Sequence, residues 1–155
     1  MPKFIADFFP NVANYWDIFL TALTATYQMF FIAGLITLLI GGAFGISLIV
    51  TKTDGIKPNR IIHFILEVIT NVFRAVPFII LLIFLIPLTR SIAGTSIGVK
   101  GAVVPLVFGA VPFYTRQVET ALADVNPGKI EAARSMGSSI LGIIFRVYLH
   151  EALPD

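Results

Sequence analysis

The longest uncharged stretch of the chain covers residues 18–51, which contain no Asp, Glu, Lys, Arg or His. A helix needs about 20 apolar residues to cross the hydrocarbon core of a bilayer, so this stretch is long enough even with polar ends. Lipid offers the backbone no hydrogen-bond partners, and residues 30–50 lack the alternation of a barrel strand. The pattern therefore predicts a first membrane-spanning helix within residues 18–50.

A cleaved signal peptide is the alternative interpretation of this first apolar segment. Signal peptides have a short apolar region that follows a basic start. Here Asp7 and Asp17 accompany a single Lys3, and the apolar region is too long. We therefore favour a membrane span, preceded by an interfacial lead-in over residues 1–17 that is rich in aromatic side chains: Phe4, Phe8, Phe9, Tyr15 and Trp16.

Two glycines in the first span, Gly41 and Gly45, are four residues apart. Such a pair of small residues lets a second helix approach closely. The alternative is that they are ordinary glycines of a membrane helix, and the sequence does not decide between the two.

The sequence pattern predicts a loop at residues 51–60 and a second helical region at residues 61–87. His63, Glu67, Asn71 and Arg74 recur at helical spacing and share one face. This face either meets a pore or a partner subunit, or it lies at the membrane interface with the span starting near Arg74. Proline lacks a backbone N–H, so a bend is expected at Pro77. The candidates for a transport pathway or subunit interface are Glu67, Asn71, Arg74 and Pro77.

A third span is predicted over residues 95–115, after a short loop at residues 88–100. Lys100 would have to extend towards the headgroups for this span to be long enough. Pro105 and Pro112 lie inside it and predict a bent helix.

The remaining segment, residues 117–150, regains charge and predicts an amphipathic helix-turn-helix outside the membrane. Asn126 is a good N-cap, and Pro127 suits the first helical position. The apolar residues that follow recur at helical spacing, and a small-residue face is expected around Ala132, Ala133 and Gly137.

Composition supports a membrane protein, because 57% of the residues are hydrophobic and 13% are charged, against about 25% charged in soluble domains. The absence of cysteine excludes disulfides and thiolate metal sites. The formal net charge of +2 gives no reason to expect nucleic acid as a partner. The only histidines, His63 and His150, are far apart, and no catalytic constellation is present. The fold class predicted is an all-α polytopic membrane protein.

The distribution of basic residues predicts an orientation. Residues 51–60 carry three Lys or Arg and residues 116–155 carry four, whereas residues 1–17 and 88–100 carry one and two. Basic loops favour the cytoplasmic side. With three spans, the N-terminus is expected outside and the 117–150 segment in the cytoplasm.

Within that segment Glu131-Ala132-Ala133 is followed by Gly137 and then by Val147-x-Leu149. This pattern resembles the EAA loop of bacterial ABC importer permeases. The resemblance implies a coupling helix that sits in a groove on a separate ATP-binding subunit, a known recognition mode. The family has proline after the apolar-x-Leu element, where this chain has His150, so the turn after the loop is expected to differ. The ATPase-coupling residues implied are Glu131, Ala132, Ala133 and Gly137.

Further motifs resemble the permeases of methionine import systems: residues 71–82, Ile86-Pro87, residues 94–98, Pro112-Phe113, Arg116 and Val118-Glu119. The likeness covers roughly residues 74–154. It implies the fold of a methionine-type, type I ABC importer permease in the bacterial cytoplasmic membrane. It also implies five spans, of which three would be present, so the chain is expected to be truncated after the coupling loop.

The same resemblance implies the partners. They are a second permease copy, an ATP-binding subunit, a methionine-binding lipoprotein outside the cell, and lipid. No cofactor is expected on this chain, because ATP and Mg would be bound by the ATP-binding subunit. Two alternatives stay open: a permease for another, polar amino acid, and a membrane scaffold without transport activity.

Overall fold

The computed structural model describes residues 15–152 of the chain, and over this range all regular structure is helical. Most of the predicted interfacial lead-in, including Phe4, Phe8 and Phe9, lies outside the described residues.

The first helix, α1, extends from Trp16 to Thr51 and contains 36 residues. At 1.5 Å per residue it is about 54 Å long, well beyond the roughly 30 Å of a hydrocarbon core. Its buried residues recur every four positions along one stripe, and most of its other large apolar side chains are exposed. The helix contains the whole stretch predicted as the first span. The stripe begins with Ala33, Thr37, Gly41 and Gly45.

The second helical region is three helices rather than one: α2 (Arg60–Ala75), α3 (Phe78–Phe84) and α4 (Ile86–Ala93). The bend expected at Pro77 is confirmed, and it is a break in which α2 and α3 meet at 105°. Val76 is extended there, with φ −82° and ψ 124°, because the residue before a proline avoids the helical region.

The prediction of a loop at residues 88–100 is wrong for its first half, which is helical. Pro87 stands in the first turn of α4, where its missing N–H costs nothing. The helix then continues to Ala93 and ends at Gly94, whose φ of 74° suits a residue without a side chain.

The third long helix, α5, extends from Gly98 to Ala123 and contains 26 residues. It begins three residues later than the predicted span and remains one helix through Pro105 and Pro112. The helix that the sequence predicts from residue 117 is present, but it continues α5 without a break as far as Ala123. The end of α5 remains helical because Leu122, 2% exposed, packs into the core of the protein.

Helices α1 and α5 are each long and apolar enough to cross a membrane, and the bent pair of α2 and α3 would make a third span if counted as one. After α5 come α6 (Pro127–Ser135) and α7 (Ile140–Ile143). A π-helical turn at Ile144–Tyr148 then leads into α8 (Leu149–Ala152).

The closest helix packing is between α1 and α5, and it depends on the two glycines. A methyl group at Gly45 would lie 2.6 Å from Val118 Cβ and 2.8 Å from the Thr115 carbonyl oxygen. At Gly41 it would lie 2.9 Å from the Tyr114 ring. The structure thus decides between the two alternatives in favour of a close approach at the glycine pair, and the partner helix belongs to the same chain.

This packing generates a prediction for Gly45→Ala. The added methyl group forces α5 away from α1, so the free energy of unfolding is expected to fall by about 1–3 kcal/mol. Gly42→Ala is the matched control, because nothing lies within 4 Å of a side chain added there. The control should be neutral or slightly stabilising, since alanine is the better helix former. Equal midpoints of thermal unfolding in detergent for the two variants would contradict the packing argument.

Candidate functional site

Helix α6 is capped at both ends by residues next to it in the sequence. The Asn126 side chain accepts a hydrogen bond from the Gly128 N–H at 2.8 Å, and Pro127 takes the first helical position. At the other end the Ser138 N–H reaches the Ala133 carbonyl at 3.1 Å, and the Gly137 N–H reaches the Arg134 carbonyl at 2.9 Å. These two bonds form a Schellman motif, with Gly137 in the left-handed position at φ 77°.

Gly137 therefore ends the helix, which corrects its predicted place on a continuous small-residue face. A side chain added at Gly137 would meet nothing within 4 Å in this chain. Its backbone angle is what requires glycine. Ala133 departs from that predicted face too, because it is 5% exposed and turned into the protein. Glu131 and Ala132 remain exposed, as does Arg134.

The buried side of α6 is fixed by a group of apolar side chains, here called the anchor cluster. It joins the end of α1, the loop after it, the end of α5, α6 and the helices that follow. Burying one side chain of the size of leucine contributes about 1.5–3 kcal/mol, so movement of α6 has to carry the ends of α1 and α5 with it. Its members are Ile49, Ile56, Leu122, Val125, Ala133, Ile143 and Tyr148.

A second connection, here called the arginine cluster, joins α2 to α5. It consists of Arg116, Glu119, Glu67 and Asn71. Arg116 donates to Glu119 at 2.5 Å and to Asn71 Oδ1 at 2.9 Å, and its guanidinium lies 3.6 Å from Glu67 Oε1. One guanidinium thus serves two carboxylates and one amide.

The polar face predicted on α2 is therefore split. Glu67 and Asn71 meet Arg116, while Arg74 forms no ion pair with any residue from 15 to 152. Arg74 instead lines a separate cleft that includes Phe113. Pro77 lies at the break after α2 and outside the arginine cluster.

His63, on the same face of α2, lies 3.9 Å from Glu67, and its Nδ1 lies 3.1 Å from the Leu48 carbonyl oxygen.

Sequence reasoning did not single out Arg116 as a site residue. The sequence nevertheless contains a signal for Arg116. It is a single cation at the end of an apolar stretch, where a charge needs partners, and Glu119 follows it by about one helical turn.

Within residues 15–152 no group of three or more His, Cys, Asp or Glu side chains is placed to hold a metal ion. One titratable group in the anchor cluster is perturbed. Burial raises the pKa of the Tyr148 phenol above 10.0, and the Asp54 carboxylate raises it further. The phenol is therefore neutral at physiological pH.

Comparison with known families decides where the chain belongs. Residues 41–154 match the sequence profile of the family described as "Binding-protein-dependent transport system inner membrane component". The chain belongs to this family. It is therefore an inner-membrane protein, and its fold is the all-α permease fold of type I importers.

Relatives of this chain are named as methionine permeases. The chain is 46% identical over 129 residues to the D-methionine transport system permease protein MetI of Yersinia pestis, and equally so to that of Escherichia coli K12. In both comparisons the match covers 83% of this chain and 59% of the relative. The chain thus spans less than two thirds of the length of these relatives.

Solved structures agree with the family assignment. A chain of the inward-facing MetNI methionine ABC transporter superposes with a TM-score of 0.82 and 45% identity, over 85% of this chain and 61% of that one. A chain of an amino acid ABC transporter solved with histidines gives a TM-score of 0.70 at 22% identity, over 93% of this chain and 64% of that one. The second likeness shows the shared fold alone.

The Schellman motif generates a prediction that separates backbone strain from side-chain size at Gly137. Asparagine tolerates the left-handed conformation better than alanine does. Gly137→Asn is therefore expected to retain more stability than Gly137→Ala, which should lose about 1 kcal/mol. Thermal unfolding in detergent measures the difference. If Gly137→Ala proved the more stable variant, small size and not backbone angle would be the requirement.

The arginine cluster generates a second prediction. Arg116→Ala leaves Glu119, whose side chain is 19% exposed, without its cation, and is expected to lower the free energy of unfolding by about 1–3 kcal/mol. Arg74→Ala removes an arginine without an ion pair in the described chain, so it should change stability by less than about 0.5 kcal/mol. Equal losses in the two variants would show that the cluster does not hold α2 to α5.

Proposed function

We propose that this chain forms part of the membrane permease of an ATP-driven importer that brings methionine across the cytoplasmic membrane. The observation that carries the proposal is the 46% identity to D-methionine permeases, together with a TM-score of 0.82 to a chain of the MetNI methionine transporter. Identity at this level extends over 83% of the chain, and the family profile matches residues 41–154, which include α2, α5 and α6.

The geometry of α6 suits the role of a coupling helix. Its exposed side carries Glu131 and Ala132, while Ala133 anchors the opposite side to the ends of α1 and α5. A partner that grips the exposed side moves α6 as a rigid body, and the anchor cluster passes the displacement to both long helices. In this proposal Glu131 sets the register of docking, and Ala132 permits close approach.

The proposed orientation puts α6 and the loop after α1 in the cytoplasm. Ile56 from the loop and Ala133 from α6 belong to the same anchor cluster, so both segments lie at one end of the helices. This end also carries Lys52, Lys57 and Arg60 in and next to the loop. An excess of basic residues favours the cytoplasmic side, which leaves the start of α1 facing outward.

The proposed assembly contains two copies of the permease, two ATP-binding subunits and an external methionine-binding lipoprotein. ATP and Mg²⁺ would be held by the ATP-binding subunits, so this chain needs no cofactor and is not the enzyme of the complex. Many large apolar side chains of α1 are exposed, among them Phe30, Phe31 and Leu35. This surface is available to lipid and to the second copy.

The coupling role predicts the outcome of Glu131→Lys in the permease assembled with its ATP-binding subunit. Reversing a charge that fixes docking should weaken association about tenfold or more and lower methionine uptake accordingly. Asp124→Lys, also an exposed acidic residue reversed near α6, is the matched control and should behave as wild type. Pull-down of the ATP-binding subunit and uptake of labelled methionine in vesicles measure the two effects. Wild-type behaviour of Glu131→Lys in both assays would remove the coupling role.

The substrate is tested separately by competition. Excess unlabelled methionine should abolish uptake of the labelled compound, and polar amino acids at the same concentration should not. Competition by a polar amino acid alone would replace methionine with that substrate, and binding of a cytosolic protein without any uptake would favour a scaffold.

A further inference from the structure

A cleft of about 590 Å³ lies between the loop that follows α1 and the exposed side of α6. Asp54 and Gly55 line it from the loop, Glu131 and Arg134 line it from α6, and Tyr148 lines it from the π-helical turn. The cleft is therefore built from three separate segments of the chain, and it includes Glu131, which is assigned to coupling.

The loop that presents Asp54 is held firmly against the end of α1. The Gly55 N–H donates to the Lys52 carbonyl at 2.9 Å, and the Lys57 N–H donates to the Val50 carbonyl at 3.0 Å. The turn is so tight that a methyl group at Gly55 would lie 2.6 Å from the Ile49 carbonyl oxygen. Ile56, 9% exposed, then inserts into the anchor cluster. Asp54 thus has a defined position relative to α6.

Tyr148 supplies a hydroxyl group that lines the cleft. Its side chain is 5% exposed, yet its hydroxyl forms no hydrogen bond with any residue from 15 to 152. Within residues 15–152 the buried side-chain oxygens without a partner belong to Thr37, Thr70 and Thr89, so the Tyr148 hydroxyl is itself open to the cleft that it lines. Because burial raises the pKa of this phenol, the hydroxyl keeps its proton and remains able to donate and to accept.

The charge in the cleft favours a cation. Asp54 and Glu131 contribute two carboxylates against the single guanidinium of Arg134. Glu131 forms no ion pair with any residue of the described range. Asp54 is paired only with Lys52, at 3.4 Å, and both side chains are open to solvent. Exposed pairs of this kind exchange readily for a better partner.

We infer that this cleft receives one lysine or arginine side chain of the ATP-binding subunit, held between Asp54 and Glu131 with its head group against the Tyr148 hydroxyl. The inference rests on the proposed function and adds a second point of contact to it. The partner would then grip the loop attached to α1 as well as α6, so one cation would connect the ATPase to both elements.

Measurement of the affinity between the permease and its ATP-binding subunit, in detergent and at several salt concentrations, tests the inference. Asp54→Asn should weaken binding about tenfold and reduce its salt dependence, because a charge-assisted hydrogen bond is lost. Tyr148→Phe keeps the ring in the anchor cluster and should weaken binding about threefold. Lys52→Ala removes only the competing cation and should leave the affinity equal or higher.

Two further comparisons complete the test. Asp124→Asn, an exposed acid outside the cleft, is the matched control and should bind as wild type does. If one cation bridges both acids, the double variant Asp54→Asn/Glu131→Gln should lose less than the product of the two single losses.

Wild-type affinity in both Asp54→Asn and Tyr148→Phe, with the wild-type complex itself intact, would overturn the inference and leave the proposed function standing. Additive losses at Asp54 and Glu131 would also overturn it, since each acid would then have its own partner. Failure of the wild-type permease to bind an ATP-binding subunit at all would instead overturn the proposed function.

Discussion

The removal of the anchor cluster from water is the interaction on which the rest of the structure depends. It is the point where the ends of α1 and α5, the loop at residues 52–59, and α6 meet. Helix α6 has only nine residues, too few to be stable as an isolated helix in water. Its position and its rigidity therefore come from Ala133 and the apolar side chains around it. In the proposed coupling role, a helix without these contacts would transmit nothing, whereas α6 is fixed to two long helices and moves with them.

The two connections between α5 and the other long helices differ in kind. Towards α1, α5 packs over the glycines at 41 and 45, where the missing side chains leave room for Tyr114 and Val118 of α5. Towards α2, Arg116 carries a polar contact to Glu67 and Asn71. Apolar packing is non-directional, while a guanidinium requires its partners at set angles and distances. The α2–α5 contact is thus the one that is specified by geometry.

The small residues of the Glu131-Ala132-Ala133 motif do not share one role. Ala133 is small because it packs inside the chain, Ala132 is exposed, and Gly137 is needed for a backbone angle that ends the helix. The functional meaning of a short motif therefore depends on which way each residue points. In this protein only part of the motif is free to meet a partner, and the cleft beside it brings in residues that the motif does not contain.

Much of the fold follows from local pattern. The uncharged stretch at residues 18–51 determines α1, and the prolines and glycines determine most breaks: Pro77 divides α2 from α3, Gly94 ends α4, and Asn126 with Pro127 starts α6. These features are readable because a helix in lipid has no alternative way to satisfy its backbone, and because proline and glycine act on their own neighbours.

Tertiary structure decided what local pattern could not. The sequence predicted the helix after residue 116 as a separate element, whereas it continues α5 to Ala123, with Leu122 buried against segments far away in the sequence. Two of the three partners of Arg116 come from α2, and one of them, Asn71, is 45 residues away along the chain. Helical periodicity on α2 could not show that Glu67 and Asn71 meet Arg116 while Arg74 does not. Side-chain spacing fixes which residues share a face, but which face is covered depends on how the helices pack.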